Sequence, residues 1–320
     1  MLTGQGGVGE RSLVRAIAIS RDGVYVARGS QDSIGPYRLL NLIMTGQTSQ
    51  VWEAMHDIKR ERFAIKILLP ECAKDSEHVA FMKNEFAVGS KLEHPRVIRL
   101  HELGTFQKAP YLAMEFFPFP NVKQFVRRGF DQVGFRVAQI IEQAAEGLAY
   151  FNEQGWIHRD VKPDNFLISP EGDVKLIDFA LAMKVRTGLA KLFGGKVKKI
   201  QGTRSYMSPE QIRGLALDPR TDVYSFGCTA FEIVTGKPPY TGASSNDLLM
   251  KHLKSPPPPL EAVDRNVTSD FSELVKRAMA KLPEQRPKSV QAFLDEFRTL
   301  RVFKIPPKPP EADAKKRPVP

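Results

Sequence analysis

The segment HRDVKPDNFL, His158 to Leu167, limits the fold and function of this chain more than any other stretch of its sequence. Asp178 follows Asn165 by 13 positions, in the run IDFA. With this spacing, one aspartate can accept a proton from a hydroxyl while an asparagine and a second aspartate hold Mg²⁺ against phosphates. Asp, Lys and Asn are each common on protein surfaces, but chance rarely produces a pattern of this length and order.

The overall composition is that of a soluble globular protein, with 42% hydrophobic and 26% charged residues in a 320-residue chain. There is no run of ~18 apolar residues that could span a membrane. The N-terminal stretch MLTGQGGVGERSLVR lacks the basic and apolar regions of a secretory signal. Two cysteines, Cys72 and Cys228, are too few for a disulfide framework. We therefore expect a cytoplasmic protein.

Residues 1 to 36 are predicted to be an N-terminal extension. The run RAIAISRDGVYVARGSQD alternates apolar and polar residues around Asp22 and Gly23, which predicts a β-hairpin. The same run is similar to half of a WD40 propeller blade. No second copy follows, and a single blade cannot bury its faces alone.

The apolar pattern then changes twice along the chain. From residue 37 to about 120 it predicts short strands, interrupted by one helix near Asp75 to Leu92 with Asp75 or Ser76 as its cap. After about residue 121, stripes at helical spacing predict packed helices. Residues 301 to 320 are rich in proline and charge, which predicts a disordered basic tail.

Further motifs accompany HRDVKPDNFL along the chain. They are FAIK around Lys66, Glu85 on the following helix, YLAMEFF around Met114, GTRSYMSPE (Gly202 to Glu210), DVYSFG (Asp222 to Gly227) and EQRP around Arg286. In kind and order, these motifs resemble those of the eukaryotic-like serine/threonine protein kinases, bacterial members in particular, in which Arg286 would be the usual ion-pair partner of Glu210. The resemblance covers about residues 37 to 300. Lys162 and the form of GTRSYMSPE favour the serine/threonine class over the tyrosine class.

This resemblance implies an α+β, two-lobed fold. The N-lobe, about residues 37–117, would be small and β-rich with one main helix, and the C-lobe, about residues 118–300, would be larger and mainly helical. ATP and Mg²⁺, with Mn²⁺ as a substitute, are the implied cofactors. The implied roles are Asp160 as base, Lys162 at the γ-phosphate, Asn165 and Asp178 as metal ligands, and Lys66 positioned by Glu85. The implied nucleotide contacts are Lys66, Ile43, Gly46, Val51, Ala64, Met114, Glu115, Phe117, Leu167 and Ile177.

The chain departs from the family pattern at three places. Met44 and Ser49 stand at two of the three glycine positions of the phosphate loop, where only Gly46 is retained, and this predicts weaker nucleotide affinity. Ala180 replaces the glycine that usually follows the metal-binding aspartate. The run GGKVKKIQ carries no hydroxyl where a regulatory phosphothreonine would pair with Arg159.

Two functional hypotheses remain. The first is an active kinase acting on protein substrates, and the second is a pseudokinase that serves as a nucleotide-binding or scaffold module. The net charge of +11 adds a detail, since Leu181 to Pro209 carry seven basic residues and no acid. These charges could favour acidic substrates or belong to a solvated loop. No recognisable nucleic-acid-binding fold accompanies them, so a nucleic-acid surface on a kinase fold is a third and weaker interpretation, and a nucleic-acid partner is not the expected one.

Overall fold

The computed structural model describes residues 17–19, 25–27, 33–185 and 201–310. The chain divides into two compact units. The smaller unit consists of Met1–Lys91 and Ile98–Pro118, and the larger unit consists of Leu92–Val97 and Phe119–Pro320. Strands dominate the smaller unit and helices dominate the larger one, which confirms the predicted α+β fold class.

The strands of the smaller unit are β1 (Ile17–Ile19), β2 (Tyr25–Ala27), β3 (Ser33–Ile34), β4 (Tyr37–Thr45), β5 (Ser49–His56), β6 (Arg62–Leu68), β7 (Leu100–Phe106) and β8 (Ala109–Glu115). Six of them form an antiparallel sheet with the order β3-β4-β5-β6-β8-β7. A separate antiparallel pair, β1 and β2, aligns Ile17 with Ala27, while Asp22 and Gly23 of the predicted turn lie outside the described residues.

One long helix, α1 (Ser76–Gly89), completes the smaller unit. The side chain of Asp75 caps it by accepting a hydrogen bond from the backbone N–H of Glu77 (2.8 Å), which satisfies one of the free donors of the first turn. The helix ends at Gly89, short of the predicted end at Leu92. Glycine weakens a helix because its backbone loses the most freedom on folding.

The half-buried carboxylate of Glu102 organises one end of the sheet. The hydroxyls of Tyr37 and Tyr111 each donate to a different oxygen of Glu102, both at 2.9 Å. Gly104 is required beneath the ring of Tyr111, since a Cβ there would lie 2.1 Å from the ring carbon Cζ. Burial and the carboxylate together raise the pKa values of both phenols, so they stay protonated as donors.

The larger unit contains the remaining elements. Its strands are β9 (Trp156–Ile157), β10 (Phe166–Ile168), β11 (Val174–Leu176) and β12 (Met183–Lys184). Its helices are α2 (Val122–Val126), α3 (Phe130–Val133), α4 (Val137–Glu153), α5 (Pro209–Ile212), α6 (Arg220–Thr235), α7 (Ser245–Lys254), α8 (Leu260–Val263), α9 (Ser269–Ala278) and α10 (Val290–Phe297). None of the helices in the described ranges is long and apolar enough to cross a membrane.

The apolar stripes of three helices form the core of the larger unit. The stripe of α4 is buried along its whole length, as are the stripes of α6 and α10 that face it. At the junction of α4 and α10, Arg298 donates to Glu142 (2.8 Å) and Glu146 (2.5 Å). The spacing of the apolar residues therefore predicts the packing faces correctly.

The chain stays packed beyond residue 300, so the prediction that disorder starts at residue 301 is wrong. Val302 and Phe303 are buried. The backbone N–H of Thr268 donates to the carbonyl of Val302 (3.0 Å), and that of Lys304 donates to the carbonyl of Asn266 (2.7 Å). Residues 311–320 of the predicted tail lie outside the described residues.

Candidate active site

In the smaller unit, the predicted pair of Lys66 and Glu85 is formed. Lys66 lies on β6, and its Nζ is 2.7 Å from Oε2 of Glu85 on α1. Only 18% of the lysine side chain and 4% of the glutamate side chain are exposed. A carboxylate so deeply buried needs a charged partner. The glutamate therefore fixes the position of the ammonium group.

Most of the other positions implied to contact a nucleotide on this unit lie on neighbouring strands. Val51 of β5 is the register partner of both Met44 and Lys66. Ala64 of β6 is buried and pairs with Met114 of β8. The other three residues of this set in the smaller unit are Ile43, which is exposed on β4, Glu115, which ends β8, and Phe117, which follows it.

The turn between β4 and β5 contains the one retained glycine of the phosphate loop. The N–H of Gly46 donates to the carbonyl of Ser49 (2.8 Å). A Cβ on Gly46 would meet that carbonyl at 3.4 Å, and its φ does not lie in the left-handed region. The turn itself therefore does not depend on glycine. What distinguishes this loop is the bulk of Met44, whose side chain is exposed.

In the larger unit, Asp160 is the centre of a hydrogen-bond network. Its Oδ2 accepts from Nζ of Lys162 (2.6 Å), and its Oδ1 accepts from the backbone N–H of Thr203 (2.7 Å). Lys162 also donates to Oγ1 of Thr203 (2.7 Å). The side-chain amide of Asn165 donates to the backbone carbonyl of Asp160 (2.8 Å). The carboxylate is thus oriented from both sides by residues far apart in the sequence.

The loop that carries Asp160 is anchored by Asp222 at the start of α6. This fully buried carboxylate accepts from the backbone N–H groups of His158 (2.8 Å) and Arg159 (2.9 Å) and from the side chain of Asn152 (2.8 Å). Burial raises the pKa of Asp222, and these hydrogen bonds oppose that rise. The sequence places Asp222 in a helix motif, but it does not indicate this anchoring role, because the partners are about 60 positions away.

The two predicted metal ligands come from adjacent backbone segments. The N–H of Ile177 donates to the carbonyl of Asn165 (2.9 Å), so Asp178 follows directly after a residue paired with Asn165. Leu167 and Ile177, the implied nucleotide contacts of this unit, flank the same two ligands in sequence. The donors are oxygen atoms, which suit Mg²⁺, an ion that binds one or two carboxylates plus phosphates and water. Within the described ranges, no group of three or more His, Cys, Asp or Glu side chains forms a closed metal cage.

The backbone around Ala180 explains why alanine is tolerated there. Asp178 has a positive φ of 66°, a conformation that Asp adopts more readily than most residues. Ala180 is not one of the described residues that have a positive φ. Its N–H points back to Oδ1 of Asp178 (3.4 Å). The glycine that the family uses at this position is therefore not needed for the conformation seen here.

Ala180→Gly is accordingly expected to have a modest effect. The substitution adds backbone freedom that folding must remove, at roughly 0.5–1 kcal/mol. We expect a lower melting temperature and a transfer rate within about fivefold of the original, since 1 kcal/mol corresponds to about that factor. Steady-state kinetics and thermal unfolding of the two proteins test this. A rate gain of about 100-fold, equal to ~2.7 kcal/mol of barrier, would instead identify the alanine as a catalytic lesion.

The guanidinium of Arg159 is bonded to uncharged acceptors. Its φ is 69°, and its guanidinium donates to the carbonyl of Leu181 (3.2 Å) and to Oε1 of Gln201 (3.4 Å). Burial lowers the pKa of Arg159, and the charge of Asp222 opposes this. The side chain of Gln211 holds the carbonyl of Arg159 (2.9 Å). The acceptors of the Arg159 guanidinium are therefore a backbone carbonyl and a neutral amide.

Phosphatase treatment is expected to leave the transfer rate unchanged, because Arg159 is held by neutral acceptors. Gln201→Ala should lower the rate by a few fold at most, since the contact is long (3.4 Å) and a typical hydrogen bond contributes only about 0.5–1.5 kcal/mol. Initial rates before and after phosphatase treatment test the first statement. A large loss that is restored by incubation with ATP would contradict it.

Comparison with known proteins places these features in a family. Residues 37–297 match the family described as Protein kinase domain. Serine/threonine-protein kinase PknA of Mycobacterium tuberculosis is 34% identical over 281 residues, which are 86% of this chain and 63% of the relative. Serine/threonine-protein kinase PknB of the same organism is 32% identical over 258 residues, 78% of this chain and 40% of the relative. The chain thus spans less than two thirds of the length of these relatives.

Proposed function

Because the chain belongs to the protein kinase domain family, we propose that it is a serine/threonine protein kinase that transfers the γ-phosphate of ATP to hydroxyl groups of proteins. One observation carries this proposal. The carboxylate of Asp160 is oriented by Lys162 and Thr203 while its backbone is held by Asn165. Ordering these side chains costs conformational entropy. A module that serves only as a scaffold would not need them ordered.

The chemistry can be divided among the residues of the larger unit. Asp160 would orient the acceptor hydroxyl and take its proton. Lys162, now bonded to Asp160, would place its positive charge on the phosphoryl group during transfer. Asn165 and Asp178 would hold Mg²⁺, which when bound neutralises charge on the phosphates. Mn²⁺ could replace it, because both ions prefer oxygen ligands.

In the smaller unit, Lys66 would bind the phosphates of the nucleotide. Its ion pair with Glu85 keeps the ammonium group ordered before ATP arrives. Because two glycines of the phosphate loop are replaced, we expect a weaker nucleotide affinity. The replacements do not affect Lys66, which still offers its positive charge to the phosphates. We therefore favour the active enzyme over the pseudokinase. Acidic protein substrates, a cytoplasmic location and the absence of a nucleic-acid partner stay predictions.

The test is transfer from γ-labelled ATP to the protein itself and to a generic acceptor, with Mg²⁺, with Mn²⁺ and with a chelator. We expect label on serine or threonine that requires a divalent cation. Nucleotide binding by thermal shift is measured in parallel. Binding without transfer under both metals would favour the pseudokinase.

A further inference from the structure

One lysine of the larger unit lies between two carboxylates near the catalytic loop. Nζ of Lys123, on α2, is 3.4 Å from Oδ2 of Asp164 and 3.4 Å from Oε1 of Glu232. It also donates to the hydroxyl of Tyr206 (3.1 Å), and that hydroxyl donates to Oε2 of Glu232 (2.5 Å). One cation therefore serves two anions and a phenol. We refer to these four residues as the Lys123 cluster.

The Lys123 cluster is connected to the proposed catalytic residue through two segments that bond to Asp160. Asp164 belongs to the helical turn Pro163–Asn165, and Asn165 donates to the backbone carbonyl of Asp160. Tyr206 lies three positions after Thr203, whose N–H donates to the carboxylate of Asp160. An extended chain covers about 3.3–3.6 Å per residue. Residues that flank an acceptor hydroxyl at Asp160 can therefore reach this cluster.

The charges of the cluster depend on the lysine. The side chain of Glu232 is 5% exposed, while those of Asp164 and Lys123 are 39% and 25% exposed. The charges of Lys123, Asp164 and Glu232 sum to −1. Asp164 therefore shares the single positive charge of Lys123 with the buried carboxylate of Glu232. Without Lys123, the exposed carboxylate of Asp164 and the buried carboxylate of Glu232 behind it would both lose the cation that they share. Such a pair of carboxylates would attract the basic residues of a substrate.

We propose that Lys123 is a specificity-determining residue that prevents basic residues next to the acceptor hydroxyl from being recognised, which favours neutral or acidic substrates. This inference rests on the proposed kinase function. Specificity is a difference between two affinities, and it is often obtained by blocking the wrong partner. Here an internal ammonium group occupies the position that a substrate Arg or Lys would take against Asp164 and Glu232.

A second lysine of the same unit provides a matched control. Nζ of Lys281 donates to the hydroxyls of Tyr240 (2.9 Å) and Tyr224 (3.4 Å). Burial lowers the pKa of Lys281 to about 8. Lys281→Met removes a partly buried lysine bonded to tyrosines, as Lys123→Met does. It leaves the two carboxylates of the Lys123 cluster unchanged.

The experiment uses two peptides with the same serine, one flanked by arginines and one by glutamates. The ratio of kcat/KM for the basic peptide to that for the acidic one is measured for the original protein, Lys123→Met, Lys123→Arg and Lys281→Met. Removing one charge several ångströms from a substrate charge should raise this ratio about fivefold to tenfold in Lys123→Met. Lys123→Arg should keep the original ratio, and so should Lys281→Met, even if its stability is lower.

An unchanged ratio in folded Lys123→Met would overturn the proposal, because it would leave the lysine with a structural role alone. If that variant does not fold, Asp164→Asn replaces it. This change removes the charge of the more exposed carboxylate and keeps the shape of the side chain, so the ratio of kcat/KM for the basic peptide to that for the acidic one should fall. An unchanged ratio in Asp164→Asn would also overturn the proposal. Peptide affinity is also measured without ATP, by fluorescence anisotropy. If the original protein transfers no phosphate, the proposed function fails, while these affinities still test Lys123.

Discussion

Asp160→Asn is expected to reduce phosphoryl transfer by about 10²–10⁴-fold, the range that a positioned acid or base contributes. Asparagine has nearly the same size, and its side-chain oxygen can still accept from the N–H of Thr203. Its amide nitrogen, however, would face the ammonium group of Lys162, which now donates to Asp160 at 2.6 Å. The variant therefore loses the proton acceptor and also a charge that orders Lys162.

The measurement is the initial rate with saturating ATP and a generic acceptor, together with nucleotide binding. Binding should be unchanged, since the effect lies on the acceptor side of the reaction. Asp173→Asn is a suitable control, because this aspartate of the same unit makes an exposed ion pair with Arg96 (2.8 Å). It should retain the original rate. A nearly normal rate in Asp160→Asn would remove the assignment of the base.

The parts of the site that sequence predicts best are those fixed by short, dense motifs. Lys66 and Glu85 meet because a strand residue and a helix residue at this spacing belong to one compact unit. Glu210 and Arg286 also pair as expected from the resemblance. In both pairs the charged residues are themselves part of the motif, so their identity is enough to predict that they form an ion pair.

Backbone conformation and tertiary hydrogen bonds were much harder to predict. The sequence indicates that Ala180 differs from the family, but φ at this position depends on the bond to Asp178 and on the packing of Phe179. The sequence does not indicate the packing of Val302 and Phe303, because two apolar residues among prolines and charges give little periodic signal. The net charge of +11 likewise does not show that Lys123 lies between two carboxylates.

The ion pair of Arg286 and Glu210 is the most deeply buried in the described part of the chain. The arginine side chain has no exposed area, and it binds the carboxylate in two parallel contacts of 2.7 and 2.9 Å. It also donates to three backbone carbonyls, those of Ala280, Arg220 and Lys281. Thus every edge of the planar group has a partner, a geometry that lysine cannot reproduce.

Arg286→Met is therefore expected to lower the free energy of unfolding by about 3–5 kcal/mol, the usual cost of leaving one member of a buried pair alone. Arg286→Lys should recover only part of this loss, because one ammonium group cannot reach the carboxylate and three separated carbonyls. Lys276→Met is the matched control. It breaks the exposed pair with Glu273 (2.8 Å), and such pairs contribute about 0–1 kcal/mol.

Urea unfolding of the four proteins measures these differences through the midpoint at constant slope. The comparison separates burial from charge, because the Glu210 and Glu273 pairs have nearly equal lengths and differ in exposure. Glu210→Gln combined with Arg286→Met removes both charges, so it should be more stable than Arg286→Met alone if the uncompensated carboxylate dominates the cost. If the double variant is no more stable, the three orphaned carbonyls account for the loss, and Arg286 acts chiefly as a backbone clamp for the segments that follow α5 and α9.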